Sequence, residues 1–387
     1  MTHKRSSLAY VVNSLDPGGT EKLVVEMSLA FSEEFDVVVI CLDAPGLWTR
    51  DLRSRGVPVH CVWRQPGLDL SIPVKLAELF RHLQIDIVHA HQCTAWFYAA
   101  LARLRYGAPR LLLEEHGRFF PEEDKPGRRL FNRVVTRRLT HGFVAVSRDI
   151  RERLCRYEGL DMRTIEVVHN GVREGPPVSL TEREAYRRDL GFTPECFVVG
   201  TVGRFDRIKN LSMLIDSLAT AVGDLPQIRG LLVGDGPQFA EIRAQVQRCG
   251  LQGRVVLTGF RSDARQLIAC MDLFVLSSVS EGASMALLEA MMAGVAVAVT
   301  DVGGNPELVA RGATGWIVPS GSSHSLAAAI REAVCDPVRR REYGAAGRRR
   351  FQESFLFETM IASYRRTYHR MLSTRPLGRA PSVRPAP

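Results

Sequence analysis

Long apolar runs are the first thing missing from this 387-residue chain. Nothing in it approaches the roughly 18 apolar residues that a membrane-crossing helix needs. The opening Met1-Thr-His-Lys-Arg-Ser-Ser precedes only the short apolar segment Leu8 to Val12. That is too short for the core of a secretion signal, and no cleavage pattern follows it. The eight cysteines (Cys41, Cys61, Cys93, Cys155, Cys196, Cys249, Cys270, Cys335) are scattered without a Cys-x-x-Cys pair. Such spacing argues against a disulfide frame or a zinc site and fits free thiols in a reducing cytosol. A Gly-x-Gly-x-x-Gly fingerprint is also missing, which argues against a dinucleotide cofactor, and so is an Asp-x-Asp metal motif. Lysine is nearly absent: Lys4, Lys22, Lys75, Lys125 and Lys209 are all there are. A bias toward arginine covers most of that imbalance, but each retained lysine draws attention.

What is present is length and uneven charge. The chain is long enough for two domains with substantial cores. Its net charge is +9, and residues 339–387 carry all of it, with twelve arginines against Glu342, Glu353 and Glu358. No recognition module or aromatic stacking pattern accompanies this charge, so nucleic acid is not expected as a partner. Residues 374–387 are rich in proline and arginine and are expected to form a disordered basic tail.

Strands and helices alternate along the chain. Leu8–Asn13, Phe35–Leu42, Val57–Val62, Ile85–Ala90, Arg110–Glu114 and Gly142–Val146 read as strands. Lys22–Phe31, Trp48–Arg55, Ile72–Leu83, Thr94–Tyr106, Arg128–Leu139 and Arg148–Tyr157 read as helices. Such alternation predicts a parallel sheet with helices on both faces, whose ligand side is the C-terminal edge of the strands. Gly18-Gly19 lies between the first strand and the first helix, where glycine lets backbone approach a phosphate, although a plain turn explains it as well. Two histidine sites fall at strand ends, His89-Ala-His91 and Glu115-His116-Gly117. His89 reads as a structural, hydrogen-bonded group, and His116, before a glycine, as the better active-site candidate. A metal reading is poor, for lack of a third ligand at a convincing spacing. The basic segment Arg128–Leu139 sets Leu130, Phe131, Val134, Val135 and Leu139 on one face. That face predicts packing on the core; the alternative is a surface that meets anionic lipid.

A linker is expected at 174–181, and a second alternation starts at Cys196–Val202. Its first strand leads into Gly203-Arg204-Phe205-Asp206-Arg207-Ile208-Lys209. Arg204 can fork onto phosphate oxygens and Lys209 adds a point charge. Gly234-Asp235-Gly236 closes the next strand, with glycines that free the backbone to pass a planar ring and Asp235 as a possible helix cap. Phe260 stands at another strand end. The run Asp272–Ser277 reads as a buried strand, and Ala283–Ala293 as a helix closed by Gly294. Ser284 and Met285 stand at that helix start, whose free N–H groups favour an anion. Glu281 precedes the helix and Glu289 lies two turns into it. Two carboxylates beside an anion-ready helix start suit a ligand bearing both phosphates and hydroxyls, as a nucleotide sugar does.

Glu281-x7-Glu289, followed by Gly303-Gly304-Asn305-Pro306-Glu307 and preceded by the Gly-Arg-x4-Lys motif of Arg204 and Lys209, resembles the retaining family-4 glycosyltransferases (group 1). The resemblance covers about residues 8–372. It implies the α/β GT-B architecture: two Rossmann-like doubly wound parallel-sheet domains, an interdomain cleft and a C-terminal helix, 355–373, crossing back to the first domain. The domains would be 1–178, on the acceptor side, and 190–354, binding the nucleotide sugar. By resemblance Arg204 and Lys209 bind the donor pyrophosphate and His116 contacts the donor sugar. Gly18 and Gly19 would lie near the donor phosphates, and Gly234, Asp235, Gly236 and Phe260 near the nucleoside. No cofactor or metal is implied beyond a UDP- or GDP-sugar substrate. The acceptor would be a glycan or lipid-linked, as in bacterial exopolysaccharide or lipopolysaccharide synthesis, with transfer in the cytosol or at the inner face of the plasma membrane. A nucleotide-sugar epimerase or hydrolase of similar fold, or an inactive binding module, stay open. Glu281 is expected to face the sugar and Glu289 the ribose, so Glu281→Gln should leave binding of a bare nucleoside diphosphate nearly unchanged.

Overall fold

The computed structural model describes residues 5–117 and 122–373; the expected tail 374–387 lies outside the described residues. The described residues fall into two compact units. One takes in the chain up to Val168 and again from Ile361, the other His169–Met360.

In the first unit the order is β1 Ser7–Ser14, α1 Gly19–Phe31, β2 Asp36–Ala44, α2 Thr49–Ser54, β3 Val59–Cys61, α3 Ser71–His82, β4 Ile87–His91 and α4 Gln92–Tyr106. It continues with β5 Arg110–Glu115, α5 Pro126–Val134, β6 Gly142–Ala145, α6 Arg148–Glu158 and β7 Ile165–Val167. All pairings are parallel, in the order β3-β2-β1-β4-β5-β6-β7. The apolar runs Leu8–Val12 and Val37–Leu42 are buried along their length, as strands covered on both faces must be.

The second unit holds α7 Leu180–Asp189, β8 Phe197–Val202, α8 Leu211–Asp224, β9 Ile228–Val233, α9 Phe239–Arg248, β10 Val255–Leu257 and α10 Ala264–Ala269. Then come β11 Leu273–Leu276, α11 Met285–Met292, β12 Ala296–Thr300, α12 Asn305–Leu308, β13 Trp316–Val318, α13 Ser323–Cys335 and α14 Pro337–Ser354. Its parallel sheet runs β10-β9-β8-β11-β12-β13. The final helix, α15 Phe357–Ser373, begins in this unit, and its residues from Ile361 on belong to the first. There Tyr364 and Tyr368 are fully buried, and Tyr368 packs edge-on against Phe31 and Phe35.

Both sheets are doubly wound: the order steps back from the first strand, then forward on its other side. The reversal falls between β1 and β4 in one unit and between β8 and β11 in the other. At such a switch point the connecting helices diverge to opposite faces and leave a crevice at the strands' C-terminal edge.

Three expectations are corrected. The basic segment is not one helix: α5 ends at Val134 and a 3-10 turn spans Thr136–Leu139. Nor does it bury an apolar face. Its buried residues are Asn132 and Thr136, tied to Glu158 and to each other, while Leu130 and Val134 are exposed. The fully buried contacts are polar, while Phe131, Val135 and Leu139 stay half-buried, Phe131 against Phe97. The expected linker 174–181 runs into α7 at Leu180, held by a capping box of Ser179 and Glu182.

Candidate active site

At the β8–β11 switch point of the second unit, two loops meet. The loop after β8 carries Arg204 and Lys209, and the loop after β11 carries Glu281. Lys209 Nζ lies 2.6 Å from Glu281 Oε1, and the Ser278 hydroxyl donates to the same oxygen at 2.5 Å. Arg204 is exposed, and its guanidinium has no partner among the described residues. Of the two expected phosphate-binding cations, one guanidinium is therefore free and one ammonium is held by a carboxylate. The backbone that carries them is fixed by Asp206, whose Oδ1 accepts from Ile208 N and Lys209 N at 3.1 and 3.2 Å.

The carboxylate loop is fixed as firmly. Gly303 has φ +54°, and a Cβ there would stand 1.9 Å from the Glu281 carbonyl oxygen. Gly304 N donates to that oxygen at 3.2 Å. Only glycine lets the chain after β12 come so close beneath Glu281. Thr300 Oγ1 donates to Ser278 O at 2.7 Å, tying the loop to the end of β12.

Helix α11 starts two residues later than the expected Ala283: the Ser284 hydroxyl caps it by accepting from Leu287 N, and Met285 is the first helical residue. The first N–H groups of the helix lack intrahelical acceptors and bring the positive end of its dipole to the strand edge. Glu289 is buried, and its Oε1 takes a hydrogen bond from Arg265 Nε at 3.1 Å. Neither Ser278 nor Arg265 was singled out in the sequence. Ser278 lies within a Ser-Ser pair that reads as plain loop, and no local pattern points to Arg265.

The structure brings Gly234, Asp235, Gly236 and Phe260 together. Gly234 N donates to Gly259 O at 2.9 Å, and Phe260, half-exposed, follows. The glycines have a packing reason as well. A Cβ on Gly234 would meet Gly203 O at 1.9 Å, and one on Gly236 would meet Phe205 O at 2.6 Å. Asp235 does not cap α9, which starts after Gln238; its Oδ1 accepts from Gly236 N at 2.7 Å.

In the first unit, Gly18 and Gly19 form the exposed start of α1. At the switch point behind them Asn13 Nδ2 donates to Gln92 Oε1 at 2.7 Å, and Gln92 takes a left-handed φ of +74°. His116 is buried at the end of β5, in a cluster that the sequence reading did not assemble. His91 Nδ1 lies 2.7 Å from His116 Nε2, with the rings parallel within 13°. Glu114, completely buried, places Oε2 2.9 Å from His89 Nε2 and 3.6 Å from His91 Nδ1, and Oε1 3.5 Å from His116 Nε2. On the other side the Tyr368 hydroxyl lies 2.7 Å from His89 Nδ1 and 3.2 Å from the Tyr10 hydroxyl.

Burial works against the Glu114 carboxylate, yet the imidazoles of His116, His89 and His91 hold its carboxyl below the usual range. Burial also pushes the His91 and His116 imidazoles down, toward the neutral form. Three full charges cannot coexist in so small a space; one ionised carboxylate among neutral imidazoles satisfies both tendencies. The third group that the metal reading lacked is therefore present: His89, His91 and Glu114 offer ligand atoms within 4.8 Å of one another.

The comparisons agree with this geometry. Residues 17–174 match the family described as Glycosyltransferase Family 4 and residues 182–350 that described as Glycosyl transferases group 1. The 2-deoxystreptamine N-acetyl-D-glucosaminyltransferase of Streptomyces fradiae is 31% identical over 325 residues, 79% of this chain and 77% of the relative. A UDP-Gal:alpha-D-GlcNAc-diphosphoundecaprenol alpha-1,3-galactosyltransferase of Escherichia coli is 24% identical over 87% of this chain and 90% of its own. Among solved structures, Anabaena HepE in complex with UDP-glucose superposes with a TM-score of 0.82 at 25% identity, over 94% of this chain and 99% of that one. Two doubly wound sheets, a basic loop facing a carboxylate loop at a switch point, and these matches lead to one conclusion: the chain belongs to the family-4 (group 1) glycosyltransferases of the GT-B fold.

Proposed function

We propose that this glycosyltransferase moves a hexosyl group from a UDP- or GDP-sugar to a glycan or lipid-linked acceptor, with retention of configuration and without a metal ion. The observation that carries this reading is the meeting of Lys209, Glu281 and Ser278 beside the start of α11. When the glycosidic bond breaks, negative charge grows on the departing diphosphate. Arg204, Lys209 and the first N–H groups of α11 are fixed donors for that charge and need not reorganise as it forms. Glu281 would accept hydrogen bonds from sugar hydroxyls, Glu289 from the ribose, and Gly234, Asp235, Gly236 and Phe260 would flank the nucleoside. Gly18, Gly19 and His116 of the first unit would take the donor-side roles that the resemblance of the motifs implies. The HepE complex supports a nucleotide-sugar donor, and the galactosyltransferase supports a lipid-linked acceptor in polysaccharide assembly.

Incubating the protein with UDP-glucose, GDP-mannose and undecaprenyl-diphosphate-linked acceptors, and reading the new anomeric coupling by proton NMR, tests the reading. An inverted product sinks retention. Turnover abolished by EDTA and restored by magnesium or manganese sinks metal independence.

Association with an anionic membrane surface is part of the same reading. It rests on α5, where exposed Leu130 and Val134 stand beside Arg133 and on the same segment as Arg138. The arginines of 339–373 contribute less, because six of the nine are committed within the fold to carboxylates or backbone carbonyls: Arg339 to Glu332, Arg340 to Ala333 O, Arg348 to Glu174, Arg350 to Glu307 O and Leu308 O, Arg365 to Glu34 and Arg370 to Glu166. Co-sedimentation with anionic but not neutral vesicles at low salt, lost in L130S/R133S, is the expected result.

A further inference from the structure

Two imidazoles 2.7 Å apart must share a single proton between His91 Nδ1 and His116 Nε2. Both nitrogens face the same carboxylate, at 3.6 and 3.5 Å. Bare lone pairs aimed at that anion from both rings would repel it, so the carboxylate keeps the shared proton in the gap. The far nitrogen of His116, Nδ1, is buried and has no hydrogen-bond partner among the described residues, which leaves it as the ring atom for a ligand.

We propose that Glu114 is a positioning residue for sugar transfer: acting through the His91–His116 contact, it sets the orientation of the His116 ring and which of its nitrogens carries the proton. The inference rests on the role given to His116 in the proposed function.

Every element around the cluster serves this arrangement. From β1, Tyr10 reaches Tyr368. From β4 come His89 and His91. From β5, Glu115 accepts from His116 N and Gly117 N at 3.2 Å and holds the backbone of the acting histidine. From α15, Tyr368 contacts His89, and the Tyr364 hydroxyl, buried beside Glu114, is kept protonated chiefly by burial. Glu166 of β7 adds a weaker negative field at Tyr364. The spacing does not suit a metal: ligands on a tetrahedral zinc at about 2.0–2.1 Å stand about 3.3 Å apart, whereas in the triad His89 Nε2 lies 2.9 Å from Glu114 Oε2, and His91 Nδ1 is taken by His116.

Nitrogen-15 NMR of histidine-labelled, full-length protein reads the tautomer without any need for activity. The expected result is one dominant tautomer of His116 in the wild type and a mixture in Glu114→Gln. The pH profile of kcat is a second readout. The carboxylate favours imidazolium nearby, so its removal should move the acid limb to lower pH. Alongside this, kcat should fall by about ten- to a hundredfold, as for partners that orient an acting imidazole, with the donor KM within about twofold. Glu114→Asp should restore part of both. Tyr364→Phe, which leaves the carboxylate and the histidines in place, should move the acid limb less and guards against a Glu114 variant that does not fold. A lowered kcat with an unmoved acid limb and an unchanged tautomer overturns the proposal, as does one equivalent of tightly held metal in the purified protein. If His116→Ala turns over at the wild-type rate, the role of His116 fails and the proposal with it. If that variant is inactive while Glu114→Gln leaves the tautomer untouched, the positioning role alone fails.

Discussion

Replacing Glu281 by glutamine should tighten the binding of a bare nucleoside diphosphate while crippling transfer. The sequence alone suggested otherwise, because a residue that faces only the sugar should be indifferent to a ligand without one. The structure couples the two through Lys209, whose ammonium lies 2.6 Å from the Glu281 carboxylate, in a site where the two side chains are 22% and 9% exposed. A diphosphate drawing on Lys209 competes with that carboxylate and is also repelled by it. Two like charges about 6 Å apart at an effective dielectric of about 20 interact by nearly 3 kcal/mol. Part of this is lost to solvent and to the Ser278 hydroxyl that already shares the charge, which leaves about 1–2 kcal/mol. The expected outcome is therefore a five- to thirtyfold lower Kd for UDP or GDP. The intact donor should gain less, since its sugar loses a charged acceptor worth about 1.5–3 kcal/mol, and kcat should fall by at least about a hundredfold. Calorimetric titration of both ligands into wild type and variant, paired with single-turnover rates, provides the assay. Unchanged or weaker diphosphate binding in Glu281→Gln would refute the coupling through Lys209.

Further outcomes follow from neighbouring residues. Gly303→Ala should slow transfer far more than it weakens diphosphate binding, because a Cβ 1.9 Å from the Glu281 carbonyl must displace that loop; the left-handed φ adds about 1–2 kcal/mol of instability, readable by urea titration. Arg204→Ala should weaken nucleoside diphosphate by about tenfold or more through loss of a free guanidinium, with no change in the urea midpoint, since that side chain has no partner to lose. His141 accepts from Leu111 N at 3.1 Å and faces Arg103; burial, with help from Arg103 and Arg110, pushes its imidazole down to about 4. Between that value and the ordinary 6.5 the unfolded chain binds the extra proton, so stability falls as pH drops through this window, by about 1–3 kcal/mol. Urea midpoints at pH 7.5 and 4.5 should therefore differ less in His141→Gln than in wild type.

Much of the architecture was legible because a parallel sheet covered on both faces writes itself as apolar runs of strand length separated by helices. Leu8–Val12 and Leu273–Leu276 are such runs, and both are buried throughout. The basic segment misled because an i, i+4 apolar pattern predicts a buried face only where a neighbour offers an apolar one. Here Glu158 meets it, and Asn132 turns inward instead. In the candidate site, the meeting of Lys209 and Glu281 was legible because both stand in short loops after strand ends, and the place of Glu289 because it stands on the helix that follows Glu281. Arg265 was not, because its contact with Glu289 joins two helices whose packing no local spacing encodes.

The cluster around Glu114 lies between these cases. On a strand, residues two apart share a face, so His89 with His91 and Glu114 with His116 each present a polar pair to one side of a sheet that is otherwise apolar. Four polar side chains on buried strands must find each other or remain unsatisfied. The register supplies the meeting, since β4 and β5 pair with His91 opposite Glu114. Tyr364 and Tyr368, four apart on α15, place two hydroxyls on one helix face by the same kind of periodicity. The resemblance implies that this helix, almost 250 residues downstream of Glu114, crosses back to the first domain; what the sequence does not carry is which side of the sheet it covers. Once it covers this one, a carboxylate that would be costly to bury alone has the His89 imidazole 2.9 Å away and those of His91 and His116 at 3.6 and 3.5 Å. The histidine at the strand's end is then held by groups that never need to touch the sugar.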